Sequence, residues 1–174
     1  MTTVLGEIDS GVSRDQTTGK AARTGGKFLT FFLAGEEYGI AILKVHEIIG
    51  MMAITSVPRT PAFIRGVINL RGKVIPIIDL RLKFGMASQD QTSETCIIVV
   101  HVEGIEVGIV VDRVSEVLNI AGEDIEDAPS FGAEVNTDYI LGIGKSQGKV
   151  KILLDIDRVL SGQEVIELLS PKAE

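Results

Sequence analysis

Apolar residues in this chain come in short runs separated by Gly, Pro and charged residues, the punctuation of strands and turns. FLTFFLA from Phe28 leads into GEE, which reads as a turn, and YGIAIL resumes the strand pattern to complete a hairpin. After KVHEIIG, the stretch MMAITSVPRTPAF is broken by Pro58 and Pro61 into a loop. There Thr60 and Pro61 suit the N-cap and first position of a short helical turn. GVINL and KVIPIIDL flank a second turn at Arg71–Gly72, and Pro76, which cannot donate to a ladder, belongs on an edge or at a bulge. CIIVVHV and IEVGIVVDRVSEVL surround Glu103–Gly104. An acidic, irregular segment follows from Ala121 to Asp138, and YILGIGKS and KVKILLDI then flank Gln147–Gly148. The runs are continuous rather than alternating, which predicts strands covered on both faces or curled into a barrel.

The ends differ from this β pattern. Residues 1–26 are rich in Gly, Ser, Thr and charge and read as a flexible tail, with order expected from Lys27. At the other end, Ile156, Val159, Leu160, Ile166 and Leu169 fall near helical spacing, which predicts a C-terminal helix interrupted at Ser161–Gly162.

The β pattern is written twice. YGIAILKVHEII from Tyr38 returns as VGIVVDRVSEVL from Val107, a shift of 69 positions (107 − 38) that superposes Gly39 on Gly108, Val45 on Val114 and Glu47 on Glu116. GVINLRGKVIPIIDL from Gly66 returns as GIGKSQGKVKILLDI from Gly142, a shift of 76 (142 − 66) that superposes Gly72 on Gly148 and Asp79 on Asp155. Two copies are too few for a solenoid and imply two related β-rich modules packed together. The small, polar stretch from Gly85 to Thr95 reads as the junction between them.

Composition sets the class. The 174 residues, with 45% hydrophobic content, suffice for a buried core. A formal charge of −7 disfavours nonspecific binding to nucleic acid or an anionic membrane. A single cysteine, Cys96, permits no intrachain disulfide and fits a reducing compartment; at the head of an apolar run it reads as a half-buried strand thiol. The N-terminus lacks the basic flank and apolar stretch of a secretion signal, and no apolar run reaches the ~20 residues of a membrane span. The expectation is a soluble, cytoplasmic protein.

Catalytic signals are sparse. His46–Glu47 begins like a zinc-protease motif, but Gly50 stands where the second histidine is required. His101, among valines, reads as a structural residue. Glu123, Asp124, Glu126 and Asp127 lack calcium-loop spacing and read as a solvated segment. Lys149 is followed by Val150, which excludes a Walker loop. Asp79 and Asp155 each end a strand before a helix-prone segment and are expected to cap it. No metal site, cofactor or catalytic residue is assigned. The alternative of a different class is a small barrel enzyme or ligand-binding protein using the acidic residues around Asp124.

The segments FFLAGEEYGIAILKVHEIIG, TPAFIRGVINLRGKVIPIIDLRLKFG and GIVVDRVSEVL together resemble the CheW family of chemotaxis coupling proteins, and the resemblance runs from about Lys27 to Leu169. It implies a mainly β fold of two SH3-like five-stranded barrels with short helices and a C-terminal helix. Residues 27–170 would then form a single domain, with the first repeat at about 27–91 and the second at about 92–170. Exchange of strands between the barrels is left open. The implied function is non-enzymatic: the adaptor connects the cytoplasmic tips of methyl-accepting chemoreceptors to the regulatory domain of the histidine kinase CheA in membrane-associated arrays. A chemosensory pathway with another output fits equally well. By the same resemblance, Ile42, Val45, Glu47, Arg71 and Cys96 are candidates for the receptor-facing groove, where an amphipathic receptor helix would dock. Met51, Met52 and Ile54 are candidates for the kinase contact, Met being an adaptable contact residue.

Overall fold

Four hairpins of the same design organise the chain. In the computed structural model, which describes residues 25–129 and 137–161, they are β1 (Gly25–Leu33) with β2 (Glu36–Ala41), β4 (Ile64–Leu70) with β5 (Lys73–Asp79), β6 (Cys96–Val102) with β7 (Ile105–Val111), and β10 (Ile140–Ser146) with β11 (Lys149–Leu154). Each closes through two residues with positive φ, the second always glycine: Ala34–Gly35, Arg71–Gly72, Glu103–Gly104 and Gln147–Gly148. Paired positive φ angles match the twist of the flanking strands, so these short turns set the hairpin registers. The first turn therefore lies one residue earlier than GEE suggests, and Glu36 and Glu37 belong to β2.

The remaining strands are β3 (Val45–Gly50), β8 (Arg113–Ala121) and the two-residue β9 (Ile125–Glu126). They build a six-stranded sheet, ordered β9-β10-β11-β2-β1-β8, and a five-stranded sheet, ordered β3-β6-β7-β5-β4. The sixth strand is a continuation. The chain leaves β8 through a 3₁₀ turn at Gly122–Asp124 and, as β9, pairs with β10 at the opposite edge. In the second sheet, the chain leaving β3 does the same when Thr55 pairs with Val67 of β4, through two 2.9 Å backbone hydrogen bonds. One bent segment thus closes each sheet into a barrel of five strand paths.

Each barrel draws strands from both copies of the repeat. Hairpin β1–β2 of the first copy sits with β8–β11 of the second, and hairpin β6–β7 of the second sits with β3–β5 of the first. The exchanged hairpins join their hosts by parallel pairing: Ile77 beside Gly108, and Leu153 beside Gly39. These are the glycines that the repeat aligns. A Cβ at Gly108 would lie 2.6 Å from Ile77 Cδ1 and 2.7 Å from Ile97 Cγ2, and one at Gly39 would lie 3.0 Å from Leu153 Cδ2.

Burial on both faces explains the continuous apolar runs. In β6, Ile98, Val100 and Val102 enter the largest core cluster, which contains residues of both barrels, while Ile97 and Val99 point into their own barrel. In β1, Leu29, Phe31 and Leu33 join the shared cluster and Phe28 points into its own barrel, with Ile120 and Leu153. Each such side chain contributes about 1.5–3 kcal/mol when fully buried, so the two central hairpins bind the barrels together.

Short helices follow the last strand of each repeat. In α1 (Leu80–Lys83) the Asp79 carboxylate accepts from the Leu82 amide, and in α2 (Ile156–Val159) Asp155 accepts from the Arg158 amide. Both aspartates are therefore the caps expected of them. Pro76 lies just ahead of Ile77, where pairing of β5 with β7 begins, so its missing N–H falls where β5 has no second partner.

Other expectations are corrected. Order extends to Gly25, because β1 gains Ala121 and Ile120 of β8 as partners there. The strand from Tyr38 stops at Ala41, and Ile42–Lys44 form a 3₁₀ turn that carries the chain into the other barrel. Thr60 does not cap a helix; its hydroxyl donates to the Val57 carbonyl at 2.9 Å, and a simple turn precedes β4. IEVGIVVDRVSEVL is two strands in different sheets, divided at Asp112. The acidic segment starts with the end of β8, a 3₁₀ turn and β9. The expected tail through residue 24 and the part of the expected C-terminal helix that includes Ile166 and Leu169 lie outside the described residues.

The crossing at Asp112 is clamped. Its Oδ1 accepts from Arg81 Nε at 2.8 Å, and its Oδ2 accepts from Arg81 Nη2 at 2.6 Å and from the Ala34 amide at 2.8 Å. The Arg81 hydrogen bond, aided by the Ala34 amide and the guanidinium charge, outweighs burial and holds this carboxyl below its ordinary range.

Two outcomes are expected. Gly108→Ala should lower stability by about 1–3 kcal/mol through overpacking, and Gly39→Ala by less, as read from urea unfolding midpoints. Because the folded Asp112 pKa is depressed, its contribution is complete above the unfolded value of ~3.9 and is lost as pH falls through the folded value. Asp112→Asn should therefore reduce stability at pH 7 and flatten the acid side of the stability profile below about pH 4. An unchanged acid limb in denaturation series would contradict this.

Candidate functional site

The turn after β4 holds Arg71 with φ 53°, and the Gly72 amide donates to Asn69 Oδ1 at 2.8 Å, fixing the turn from within. From this position the Arg71 guanidinium, 66% exposed, donates to the Glu47 carboxylate on β3. The pair ties the β4–β5 turn to the neighbouring strand across the barrel. At this exposure it contributes only ~0–1 kcal/mol to stability, and it presents both signs of charge to solvent.

The other three receptor-groove candidates have more apolar surroundings. Val45 on β3 and Ile42 in the 3₁₀ turn are half-buried against the shared core. Cys96 is half-buried there too, at the far end of β3: it pairs with Gly50, whereas Val45 pairs with Val100. That difference of four residues along β6 separates Cys96 from Val45 by ~13 Å. Burial raises the Cys96 pKa, partly opposed by a hydrogen bond from the Val114 backbone, so this is the strand thiol that the sequence suggests. The structure thus brings Glu47 and Arg71 together and leaves Ile42, Val45 and Cys96 packed against the shared core. The same strands also carry exposed apolar residues that the sequence reading overlooked: Ile48 on β3 is 45% exposed, on the face opposite Glu47, and Val74 at the start of β5 is 66% exposed.

The kinase-contact candidates divide. Met51 and Ile54 pack against the core of the barrel built around β5–β7, and Met52 is exposed. Met51 also lines a cleft of about 350 Å³, together with Arg65, Asp79, Arg81, Asp112 and Arg113. Two of its acids are already engaged, Asp79 by Arg65 at 3.2 Å and by the Leu82 amide, and Asp112 by Arg81. No histidine or cysteine is among its described lining residues.

A second charged group adjoins Glu47. In the β6–β7 hairpin, His101 stands directly opposite Glu106. On β3 the register shifts between Val45 and Glu47, making His46 the extra residue of a bulge and turning it toward the same place. His46 Nδ1 lies 3.2 Å from His101 Nε2, and His46 Nε2 lies 3.3 Å from Glu106 Oε2. Lys73 Nζ donates to Glu106 Oε1 at 3.2 Å. Burial raises the Glu106 pKa, but the Lys73 hydrogen bond and the charges of His46, Lys73 and His101 together hold it below its ordinary range. His101 is therefore no isolated structural histidine. The two-residue turn at Glu103–Gly104 already implied its pairing with Glu106; only the approach of His46 required the fold.

The duplication measures how specialised this surface is. Glu106 corresponds to Glu37 under the 69-residue shift. Glu37 meets Lys151, 1% exposed, at 3.3 Å, with no histidine beside them. The same ancestral position is a largely buried ion pair in one barrel and part of an open charged cluster in the other.

Comparisons with known proteins agree with this architecture. Residues 27–164 match the model of the CheW-like domain. A chemotaxis protein CheW of Klebsiella aerogenes is 46% identical over 141 residues, covering 81% of this chain and 85% of that protein. CheW of Helicobacter pylori is 37% identical over 134 residues, covering 77% and 81% respectively. The crystal structure of the scaffolding protein TtCheW from Thermoanaerobacter tengcongensis superposes with a TM-score of 0.73 at 37% identity, covering 80% of this chain and 95% of that one. With the sequence, the paired barrels and a solved relative in agreement, the chain belongs to the CheW-like family.

Proposed function

We propose that this chain is a non-enzymatic chemotaxis adaptor that couples methyl-accepting chemoreceptors to the histidine kinase CheA and helps assemble them into arrays. The observation that carries this reading is the family match over nearly the whole described chain, since the matched relatives are chemotaxis proteins and the solved one is a scaffolding protein. The surface chemistry suits such a role. A receptor hairpin presents an amphipathic helix, and the Glu47–Arg71 pair offers both signs of charge on a barrel that also exposes Ile48 and Val74. Ile42, Val45 and Cys96 support that face from the core side. The weak intrinsic value of the pair leaves both groups available to a partner.

The kinase would dock elsewhere, through Met51, Met52 and Ile54, by packing its regulatory domain on the loop after β3. Two partners on two surfaces would let one small protein bridge them. No helix among the described residues is long and apolar enough to cross a membrane.

Charge reversal tests the receptor face. Arg71→Glu and Glu47→Lys should each weaken binding to purified receptor tips by about tenfold or more, a loss of ~1.4 kcal/mol, with circular dichroism unchanged. Normal binding by both variants would remove these residues from the site. Retained CheA binding in the same variants would show that the kinase contact lies apart.

A further inference from the structure

We propose that His46, His101 and Glu106 form a binding site for a divalent transition-metal cation of the zinc class, on the barrel that carries Glu47 and Arg71. The three side chains each offer one donor atom, and these atoms lie within 4.8 Å of one another. With one nitrogen from each ring, Glu106 Oε2 lies 3.3 Å from His46 Nε2 and 3.8 Å from His101 Nε2; the 3.2 Å approach of His101 Nε2 is to the other His46 nitrogen, Nδ1. A tetrahedral ion with ~2.0–2.1 Å bonds to nitrogen and oxygen spaces its ligands by roughly 3.3 Å. The two separations from Glu106 to the imidazoles are near that spacing.

Backbone geometry supplies the arrangement. His101 and Glu106 are cross-strand partners in a hairpin set by a two-residue turn, and such partners project from the same face. The bulge in β3 supplies the third ligand. The imidazole rings meet edge to face at 84°, with centroids 5.0 Å apart. Both histidines are nearly half exposed, so small ring rotations can turn two lone pairs onto one ion.

Charge and ligand type define the cation. Two imidazoles and one carboxylate match zinc and its neighbours rather than calcium or magnesium, which take oxygen ligands. Three protein ligands leave a fourth position for water or a partner's side chain. Lys73 opposes a cation, but it engages Oε1 of Glu106 and leaves Oε2 directed at the histidines. Glu47, 4.0 Å from His46 Nε2, is engaged by Arg71 and is not counted as a ligand.

The site stands apart from the adaptor reading, and its test needs neither receptor nor kinase. Zn²⁺ is titrated into the full-length, untagged chain by calorimetry, and Co²⁺ by visible absorption. One equivalent should bind, with the intense d–d bands of four-coordinate Co²⁺. Because the chain contains only two histidines, both sets of ring resonances should shift together on adding Zn²⁺. His46→Ala and His101→Ala should each weaken binding by about tenfold or more, with His46→Gln serving if an alanine variant loses its fold. Absence of saturable binding would overturn the proposal. So would wild-type affinity in the folded histidine variants, which would assign the metal to exposed carboxylates such as Glu123 and Asp124.

Discussion

Two parallel strand contacts, Ile77 beside Gly108 and Leu153 beside Gly39, join each barrel across the two halves of the chain. Neither repeat can complete a barrel with its own strands, because the hairpin that opens it is lodged in the other. The close approach depends on a residue without a Cβ at both seams. Unfolding either barrel would therefore withdraw two strands from its neighbour, which makes the pair a cooperative unit. Such long-range pairing also raises contact order and slows folding.

On that shared scaffold the two copies have divided their surface chemistry. The first barrel-to-barrel crossing is a 3₁₀ turn with Leu43 91% exposed, while the second is a single residue, Asp112, held by Arg81. Arg71 stands where the second copy has Gln147, and only Arg71 reaches a carboxylate on the neighbouring strand. Repeated residues mostly serve the fold: the seam glycines, the turn glycines and the capping aspartates. Glu47 is informative because its counterpart Glu116 is exposed on β8, yet the ion pair forms in one barrel.

This division bears on how a protein without a catalytic constellation can be specific. The Glu47–Arg71 pair and the His46–His101–Glu106 cluster occupy neighbouring parts of one barrel. Side chains there are anchored on strands and tight turns, which limits the ordering cost on binding a partner. In the cleft lined by Asp79 and Asp112, Arg65 and Arg81 neutralise these two carboxylates and brace them where the chain changes direction.

Much of this was legible in the residues. Continuous apolar runs announced strands buried on two faces, X–Gly pairs marked hairpins, and aspartates at strand ends marked caps, because each is a local preference carried by a few neighbouring side chains. The repeat revealed two modules, and the family resemblance pointed to Glu47 and Arg71. Local pattern could not divide IEVGIVVDRVSEVL at Asp112, because both strands are apolar enough to belong to either sheet. Nor could it bring His46 to His101 and Glu106, which lie 55 and 60 positions away (101 − 46, 106 − 46). Strand and turn propensities act over a few residues and belong to the sequence. Which hairpin enters which barrel, and so which charges meet, was decided only when the shared core buried both faces at once.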